Sequence, residues 1–195
     1  MYCIVINKIG KGRFFFKKFK NQIYFIYKIY AISPFFLKKL YTFLFRGNKF
    51  KILFNYFDLK QNSKFVGDNV YISQNVIIKN QSNLSVGSNF SIHEFSYIDA
   101  AGDIEIGDNV SIAHNCSLIS FEHGWDDIDT PIKYNPTKLH KIKIGNDVWL
   151  GCGVRILSGT VIEDRVIVAA GAVVKGHLES GYIYGGVPAR RLKKL

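Results

Sequence analysis

Aliphatic side chains return at every sixth position in four successive series between residues 66 and 174. The recurring positions are Val66, Ile72, Ile78 and Leu84, then Val86, Ile92, Ile98 and Ile104, then Ile106, Ile112 and Leu118, and finally Ile144, Leu150, Ile156, Ile162, Val168 and Val174. Repetition at this step predicts an all-β solenoid, a parallel β-helix whose coils each contain three short strands. No helical pattern falls between the predicted strands, which excludes an ordinary α/β sheet.

Each series opens on the same short motif, an aliphatic residue followed by glycine and two small polar residues. The openings are Val66-Gly67-Asp68-Asn69, Val86-Gly87-Ser88-Asn89, Ile106-Gly107-Asp108-Asn109 and Ile144-Gly145-Asn146-Asp147, and they lie 20, 20 and 38 residues apart. Glycine, asparagine and aspartate tolerate the unusual dihedrals of a tight corner, so each motif predicts a corner of a coil.

The longest spacing contains a segment, residues 120–141, that does not follow the repeat. It carries His123, Trp125 and Asp126. A regular scaffold interrupted by one histidine-bearing loop predicts that a functional site is built at this loop.

The first third of the chain has a different chemistry. Residues 1–64 hold 14 Lys and Arg against one acid, a charge of +13, whereas residues 65–195 hold 12 against 14, a charge of −2. We therefore predict a basic, aromatic, α-helical N-terminal segment over residues 1–64, a β-helix domain over 65–184 with a protruding loop at 120–141, and a basic C-terminal tail over 185–195.

Helical spacing of Phe19, Ile23, Ile26 and Tyr30, with a break at Pro34, supports helices in the N-terminal segment. Two interpretations stay open. The aromatic faces insert into a membrane interface while the lysines meet anionic headgroups, or the helices pack on the end of the main domain with their lysines solvated. The segment has two arginines and no nucleic-acid motif, so no nucleic-acid partner is expected.

Cysteine usage favours a reducing compartment. Cys3, Cys116 and Cys152 form no CxxC pair and no disulfide framework. The apolar start is too short for a signal peptide, and no window of eighteen residues is free of charge. We predict a cytoplasmic protein that associates peripherally with the membrane if the first interpretation of the N-terminal segment holds.

The chain closes on Gly185-Gly186-Val187-Pro188-Ala189-Arg190. With this motif and the hexad repeat, residues 66–190 resemble the hexapeptide-repeat, left-handed β-helix acyltransferases, close to the galactoside and maltose O-acetyltransferases. The resemblance implies a left-handed coil and a homotrimer with active sites in the clefts between neighbours. It also implies acetyl-CoA as the acyl donor.

The same resemblance makes His123 the catalytic base. An imidazole that titrates near neutrality can take the proton of a hydroxyl as that hydroxyl attacks a thioester. The resulting tetrahedral oxyanion needs a fixed N–H donor, for which a backbone amide near Gly151 and Cys152 of the facing subunit is implied.

For the acceptor, the family carries an asparagine where this chain has His93. His93 is expected to hydrogen-bond a sugar hydroxyl, to orient His123 across the interface, or to be structural. Trp125 and Asp126 are expected to help to hold the acceptor, because aromatic rings stack on sugar faces and carboxylates accept hydroxyl protons.

For the coenzyme, Trp149 is expected to form one wall of the cleft, and Gly151 and Ala170 to keep the face shallow. Cys152 aligns with a serine whose backbone faces the thioester. Arg190 is expected to pair with a coenzyme phosphate, with Lys175 adding to that field.

The sequence thus predicts an acetyl-CoA-dependent O-acetyltransferase that acts on a hydroxyl of a sugar or a surface-polysaccharide precursor, small or lipid-linked. A serine or amino-sugar N-acetyltransferase and a non-catalytic β-helix binding protein are the alternatives. Zinc-dependent carbonic anhydrases share the fold, but their H-x4-H ligand pair is absent, so no metal is expected.

Overall fold

The computed structural model describes residues 25, 29 and 48–195. The chain divides into two compact units, Met1–Phe57 and Asp58–Leu195. Within the described residues no helix is long and apolar enough to cross a membrane. The predicted helical face at Phe19–Tyr30, the break at Pro34 and nearly all of the basic face expected to meet a membrane lie outside the described residues.

Helix α1 covers Asn48–Asn62. In its last turns Leu59 is almost fully buried and belongs to the core of the second unit. Asp58 accepts hydrogen bonds from the side-chain amides of Asn62, at 3.1 Å, and of Gln81, at 2.9 Å. The bond from Gln81 fastens the end of the helix to the first coil of the domain that follows.

Short strands make up the rest of the described chain. They are β1 Phe65–Val66, β2 Tyr71–Ile72, β3 Ile77–Lys79, β4 Leu84–Val86, β5 Ser91–Ile92, β6 Tyr97–Asp99, β7 Ile104–Ile106, β8 Ser111–Ile112, β9 Ser117–Ile119, β10 Phe121–His123, β11 Thr137–Leu139, β12 Ile142–Ile144, β13 Trp149–Leu150, β14 Arg155–Ile156, β15 Val161–Ile162, β16 Ile167–Val168, β17 Val173–Val174, β18 His177–Leu178, β19 Tyr182–Gly185 and β20 Arg190–Lys194. Two 3₁₀ turns, Gln81–Asn83 and Ile132–Tyr134, interrupt them.

The strands form three long sheets. Sheet one runs β1-β4-β7-β12-β15-β18, sheet two β2-β5-β8-β13-β16-β19-β20, and sheet three β3-β6-β9-β14-β17. Every pairing in these sheets is parallel except that of β19 with β20. Each coil contributes one strand to each sheet in turn, so the predicted all-β solenoid of hexapeptide repeats is confirmed, with about six turns.

The core is the stack of hexad side chains. All of the recurring aliphatic positions are buried except Val66 and Ile78, which lie in the first coil and pack partly against the core. Stacked residues pair directly, as Ile92 with Ile112 and Ile112 with Leu150 do. Each buried aliphatic side chain contributes about 1.5–3 kcal/mol, so the repeat itself stabilises the fold.

The corners use left-handed backbone where the opening motifs predict it. The last residue of each motif has a positive φ: 59° at Asn69, 57° at Asn89, 59° at Asn109 and 54° at Asp147. The Asn69 amide donates to Asn89 Oδ1 at 2.6 Å, and the Asn89 amide to Asn109 Oδ1 at 2.9 Å. This ladder satisfies side chains that the tight turns would otherwise leave without partners.

Candidate active site

The loop at residues 120–141 leaves the solenoid through a tightly bonded root. Ser120 accepts a hydrogen bond from His140 N at 3.0 Å, and its hydroxyl donates to Asp99 O at 2.9 Å. Gly102 N donates to the same hydroxyl at 2.8 Å. A Cβ on Gly102 would lie 2.1 Å from Ser120 O, so only glycine leaves room for this crossing of chains.

Beyond the root the loop becomes an antiparallel hairpin of β10 and β11. Phe121 pairs with Leu139 and His123 with Thr137, and Gly124 N donates to Pro136 O at 3.0 Å. The His123 side chain is exposed. The predicted base therefore lies on a paired strand rather than on a loose segment.

Glu122 fastens the same strand to the solenoid. Its carboxylate is 2.9 Å from Lys175 Nζ, on the coil that contains β17. This hydrogen bond holds the pKa of Glu122 below its ordinary value. Because neighbouring strand residues point to opposite faces, His123 faces away from this contact. The predicted contact of Lys175 with the coenzyme stays a prediction, since its ammonium binds Glu122 here.

Asn135 holds the far part of the loop together and was missed from the sequence. It is 5% exposed, its Oδ1 accepts from Asp127 N at 3.2 Å, and its amide donates to Thr130 O at 2.7 Å and to Asp127 O at 3.1 Å. Asp127 itself accepts from the Thr130 hydroxyl at 2.8 Å, which lowers the pKa of Asp127. An isolated asparagine in a polar loop has no periodic signal that could have revealed this role.

The predicted acceptor groups of the loop lie together. Trp125 is 59% exposed, and Lys138 Nζ lies 5.2 Å from the centre of its ring. The same ammonium is 2.6 Å from Asp126 Oδ2. Lys138 thus covers one face of the indole and neutralises the carboxylate, which leaves an aromatic surface beside a compensated charge.

His93 lies at another place, the corner between sheets two and three in the second coil. Its ring centre is 5.7 Å from that of Tyr71, and its Nδ1 is 4.0 Å from Glu94 Oε2. Glu94 also accepts a short hydrogen bond from the Ser73 hydroxyl, and this bond is the main reason why the pKa of Glu94 is lowered. The sequence reasoning missed both Ser73 and the ionised carboxylate.

A trough runs from that corner along the outer face of sheet two. The register stacks Tyr71, Ser91, Ser111 and Trp149 in consecutive strands. Two small hydroxyl residues, with Ser91 Oγ 3.2 Å from Ser111 Oγ, therefore form a floor between two aromatic walls. Trp149 is 48% exposed. Strands lie about 4.8 Å apart, so the walls are roughly 14 Å apart.

The amides proposed as oxyanion donors differ in their availability. Gly151 N donates to Val168 O at 2.8 Å and is not free. Cys152 N makes no backbone hydrogen bond to another described residue. A Cβ on Gly151 would lie 2.6 Å from Ala170 N, so the close stacking of two coils requires glycine at this position. The shallow face for the coenzyme stays a prediction. The corner therefore offers the Cys152 amide.

Below that corner Cys116 is buried, and its thiol lies 3.2 Å from Gly151 O. Burial raises the pKa of Cys116, which keeps its thiol neutral.

The C-terminal tail adds an edge strand. β20 pairs with β19 and brings Arg190 opposite Gly185. Arg191 forms an ion pair with Glu179, and its guanidinium carbon lies 4.1 Å from the ring centre of Tyr182. Arg190 is exposed and bonds only its neighbour's carbonyl, that of Ala189, among the described residues. It therefore has a free guanidinium edge.

Two groups of predicted residues thus stand at different edges of one chain. The loop that leaves the solenoid at the corner between sheets three and one carries His123, Trp125 and Asp126. The corner between sheets two and three carries His93, Gly151 and Cys152. The described part of the chain contains no cluster of three His, Cys, Asp or Glu side chains arranged to hold a metal ion.

Comparison with known proteins assigns the class. Residues 141–176 match the bacterial transferase hexapeptide (six repeats) family. This stretch of the solenoid matches the hexapeptide-repeat transferases, and the resemblance predicted from the sequence is confirmed. Several of the chain's homologues and structural neighbours are acetyltransferases.

Three of these proteins show the extent of the likeness. A Mycobacterium tuberculosis protein, provisionally named acetyltransferase Rv3034c, is 36% identical over 91 residues, 47% of this chain and 30% of its own length. An Escherichia coli K12 protein, provisionally named lipopolysaccharide biosynthesis O-acetyl transferase WbbJ, is 43% identical over 53 residues, 27% of each chain. The solved structure of a galactoside acetyltransferase in complex with coenzyme A is 25% identical with a TM-score of 0.67, over 91% of this chain and 81% of that one. The chain thus spans less than a third of the length of these two curated relatives.

Proposed function

We propose that this protein is an acetyl-CoA-dependent O-acetyltransferase that acts on a hydroxyl of a sugar or surface-polysaccharide precursor, with His123 as the general base. The observation that carries the proposal is an exposed histidine on a paired hairpin, inserted into a transferase hexapeptide solenoid. The root at Ser120 and the ion pair of Glu122 hold that hairpin in place. An imidazole whose position is fixed in this way is preorganised to remove the proton of an acceptor hydroxyl.

The proposed reaction uses an imidazole as the base and a backbone amide as the oxyanion donor. The His123 imidazole takes the proton of the acceptor hydroxyl while the hydroxyl oxygen attacks the thioester carbon of acetyl-CoA. The tetrahedral oxyanion accepts a hydrogen bond from Cys152 N–H, the amide left unbonded at its corner. Collapse breaks the C–S bond, and the leaving thiolate takes the proton from the imidazolium. The products are an acetyl ester and free coenzyme A.

The donor site lies along the shallow corner. Trp149 forms a wall, the small residues Gly151 and Ala170 line the floor, and Arg190 offers a free guanidinium edge to a coenzyme phosphate. A similar galactoside acetyltransferase has been solved with coenzyme A, which supports this assignment. Lys175 is the less suitable phosphate ligand because Glu122 already occupies its ammonium.

The separation of the two groups on one chain supports a site that a second copy completes. We assign the complete site to a homotrimer in which His123 of one subunit faces Cys152 and Trp149 of its neighbour. Coexpression of His123→Ala with Trp149→Ala would test this. Each variant alone is expected to be nearly inactive, whereas mixed trimers contain some sites with both native residues and regain activity. No recovery in mixed trimers would place both residues in one subunit's site.

The acceptor is assigned to carbohydrate from the chemistry of the trough and the loop. The Tyr71 ring with the serine hydroxyls beside it suits a sugar ring, and His93 can bond a hydroxyl at the trough's edge. Trp125 and Asp126 would cover the acceptor from the neighbouring loop. The name of the Escherichia coli relative favours a surface-polysaccharide precursor. A basic segment at residues 1–64 suits a lipid-linked acceptor at the cytoplasmic membrane face.

Release of free thiol from acetyl-CoA tests the function directly. The purified chain should release coenzyme A with sugars, nucleotide sugars or lipid-linked sugars, and the product should carry a base-labile ester. Products labelled on an amine would instead define an N-acetyltransferase. A chain that coenzyme A does not stabilise against heat, and that releases no thiol with any acceptor, would be a non-catalytic solenoid.

A further inference from the structure

One corner of the solenoid departs from its own pattern. Between sheets two and three the residue with positive φ is Asn75 in the first coil, Asn115 in the third, and glycine at positions 153 and 171 in the next two. In the second coil it is Phe95, with a φ of 61°. Asparagine and glycine adopt this conformation readily, whereas a bulky L-residue is strained in it.

Folding does not explain the phenylalanine. Its side chain is 67% exposed, so it contributes little to the core. The other bulky misfit, Arg165 at a φ of 57°, forms an ion pair of 3.2 Å with Asp147. Phe95 cannot form a comparable ion pair, because its side chain has no polar atom. Strained residues that do not serve the core are concentrated at functional sites.

The position of Phe95 is beside the groups already assigned to the reaction. It directly follows His93 and Glu94, and the carboxylate of Glu94 is held ionised by Ser73. Asn115 N donates to Glu94 O at 2.9 Å, and Gly153 N to His114 O at 3.0 Å, so successive coils stack in register at this corner. Phe95 therefore lies two coils, roughly 10 Å, from the level of Cys152 and Gly153.

Beyond Asn115, the equivalent residue of the third coil, the surface of this corner is flat. A Cβ on Gly153 would meet only Gly171, at 3.9 Å, and a Cβ on Gly171 would meet nothing within 4 Å. The corner thus has an aromatic wall at one end and a flat strip at the other. A carboxylate and an imidazole lie next to the wall.

We propose that Phe95 is a specificity-determining residue whose ring stacks on the apolar face of the acceptor's sugar ring, while His93 and Glu94 bond its hydroxyls. This inference rests on the proposed O-acetyltransferase function. The ring has only two rotatable bonds, and the backbone conformation fixes the direction of its Cα–Cβ bond. The stack is thus preorganised for one face of a cyclic acceptor.

The test uses Phe95→Asn, the residue that its neighbours Asn75 and Asn115 have, with Arg165→Asn as the matched control. Both substitutions relieve left-handed strain and should raise the Tm by a few degrees. The probe is the best substrate in a panel of methyl pyranosides. Phe95→Asn should raise the acceptor KM about tenfold and leave the KM for acetyl-CoA unchanged. Arg165→Asn should change neither KM, and Phe95→Tyr should restore the acceptor KM.

The outcomes separate the possible failures. If the wild-type chain acetylates no acceptor, the proposed function fails and the role of Phe95 fails with it. If the wild type is active and Phe95→Asn keeps its acceptor KM, only the role of Phe95 is overturned. A fall in oligomer mass with Phe95→Asn, measured by sedimentation, would also overturn it, because the ring would then pack between copies.

Discussion

The root of the hairpin that carries His123 can be perturbed without changing any side chain proposed to contact substrate. In Gly102→Ala the new Cβ would lie 2.1 Å from Ser120 O and 2.8 Å from His140 N, both backbone atoms. Real Cβ atoms stay at least 3.0 Å from such backbone atoms, so the backbone segment at Gly102 and the root of the hairpin must separate by about 1 Å. Such overpacking typically costs about 1–3 kcal/mol. The hairpin that carries His123 is the part that can move.

The expected loss of activity is larger than the loss of stability suggests. A displacement of about 1 Å at a catalytic group can reduce the rate about 100-fold. We therefore expect the kcat of Gly102→Ala to fall between 10- and 100-fold, roughly, with the KM for acetyl-CoA nearly unchanged. Thiol release measures the rate, and thermal unfolding shows that the solenoid remains folded.

Gly67→Ala is the matched control. Its Cβ would lie 2.6 Å from Ser88 N, which is also backbone, in the first coil and away from the hairpin. It should lose similar stability and keep its kcat. If Gly102→Ala keeps wild-type kcat, or if both variants lose activity equally, the hairpin root does not position His123.

Four further variants test the roles of individual residues. Asn135→Ala removes three hydrogen bonds from a buried amide and should expose residues 121–139 to limited proteolysis, with little change in the Tm of the solenoid. Lys175→Met should lower kcat more than it changes the KM for acetyl-CoA, because Lys175 binds Glu122, whereas Arg190→Met should raise that KM. Burial raises the pKa of Cys116 in the folded chain, so its contribution to stability is present below the unfolded pKa and is lost as pH rises above it. The Tm difference between wild type and Cys116→Ala should therefore narrow above about pH 8.5.

Periodic features were predictable from the sequence because the same types of residue recur at equivalent positions of successive coils. The hexad positions, such as Ile112 and Leu150, gave the core. The opening motifs gave the corners at Asn89 and Asn109. A break in the period gave the loop at residues 120–141. Each depends on local chemistry repeated from coil to coil, which one unusual residue does not hide.

Contacts between unrelated positions were not predictable. The pairing of Glu122 with Lys175 joins residues 53 apart, and the bonds of Asn135 form only after the loop has folded. The choice between the amides of Gly151 and Cys152 also needed the structure, because only the register shows that Gly151 N is already bonded. The positive φ of Phe95 has no sequence signal, because phenylalanine does not mark a left-handed corner as asparagine and glycine do.

Single-turnover transfer by His123→Ala is the most direct test of the central claim. With acetyl-CoA and the acceptor that the wild type uses best, removal of the base should slow transfer by about 10²–10⁴-fold. Coenzyme A should still raise the Tm by the wild-type amount, because the donor site is intact. Transfer at the wild-type rate in His123→Ala would contradict the assignment of His123 as the base.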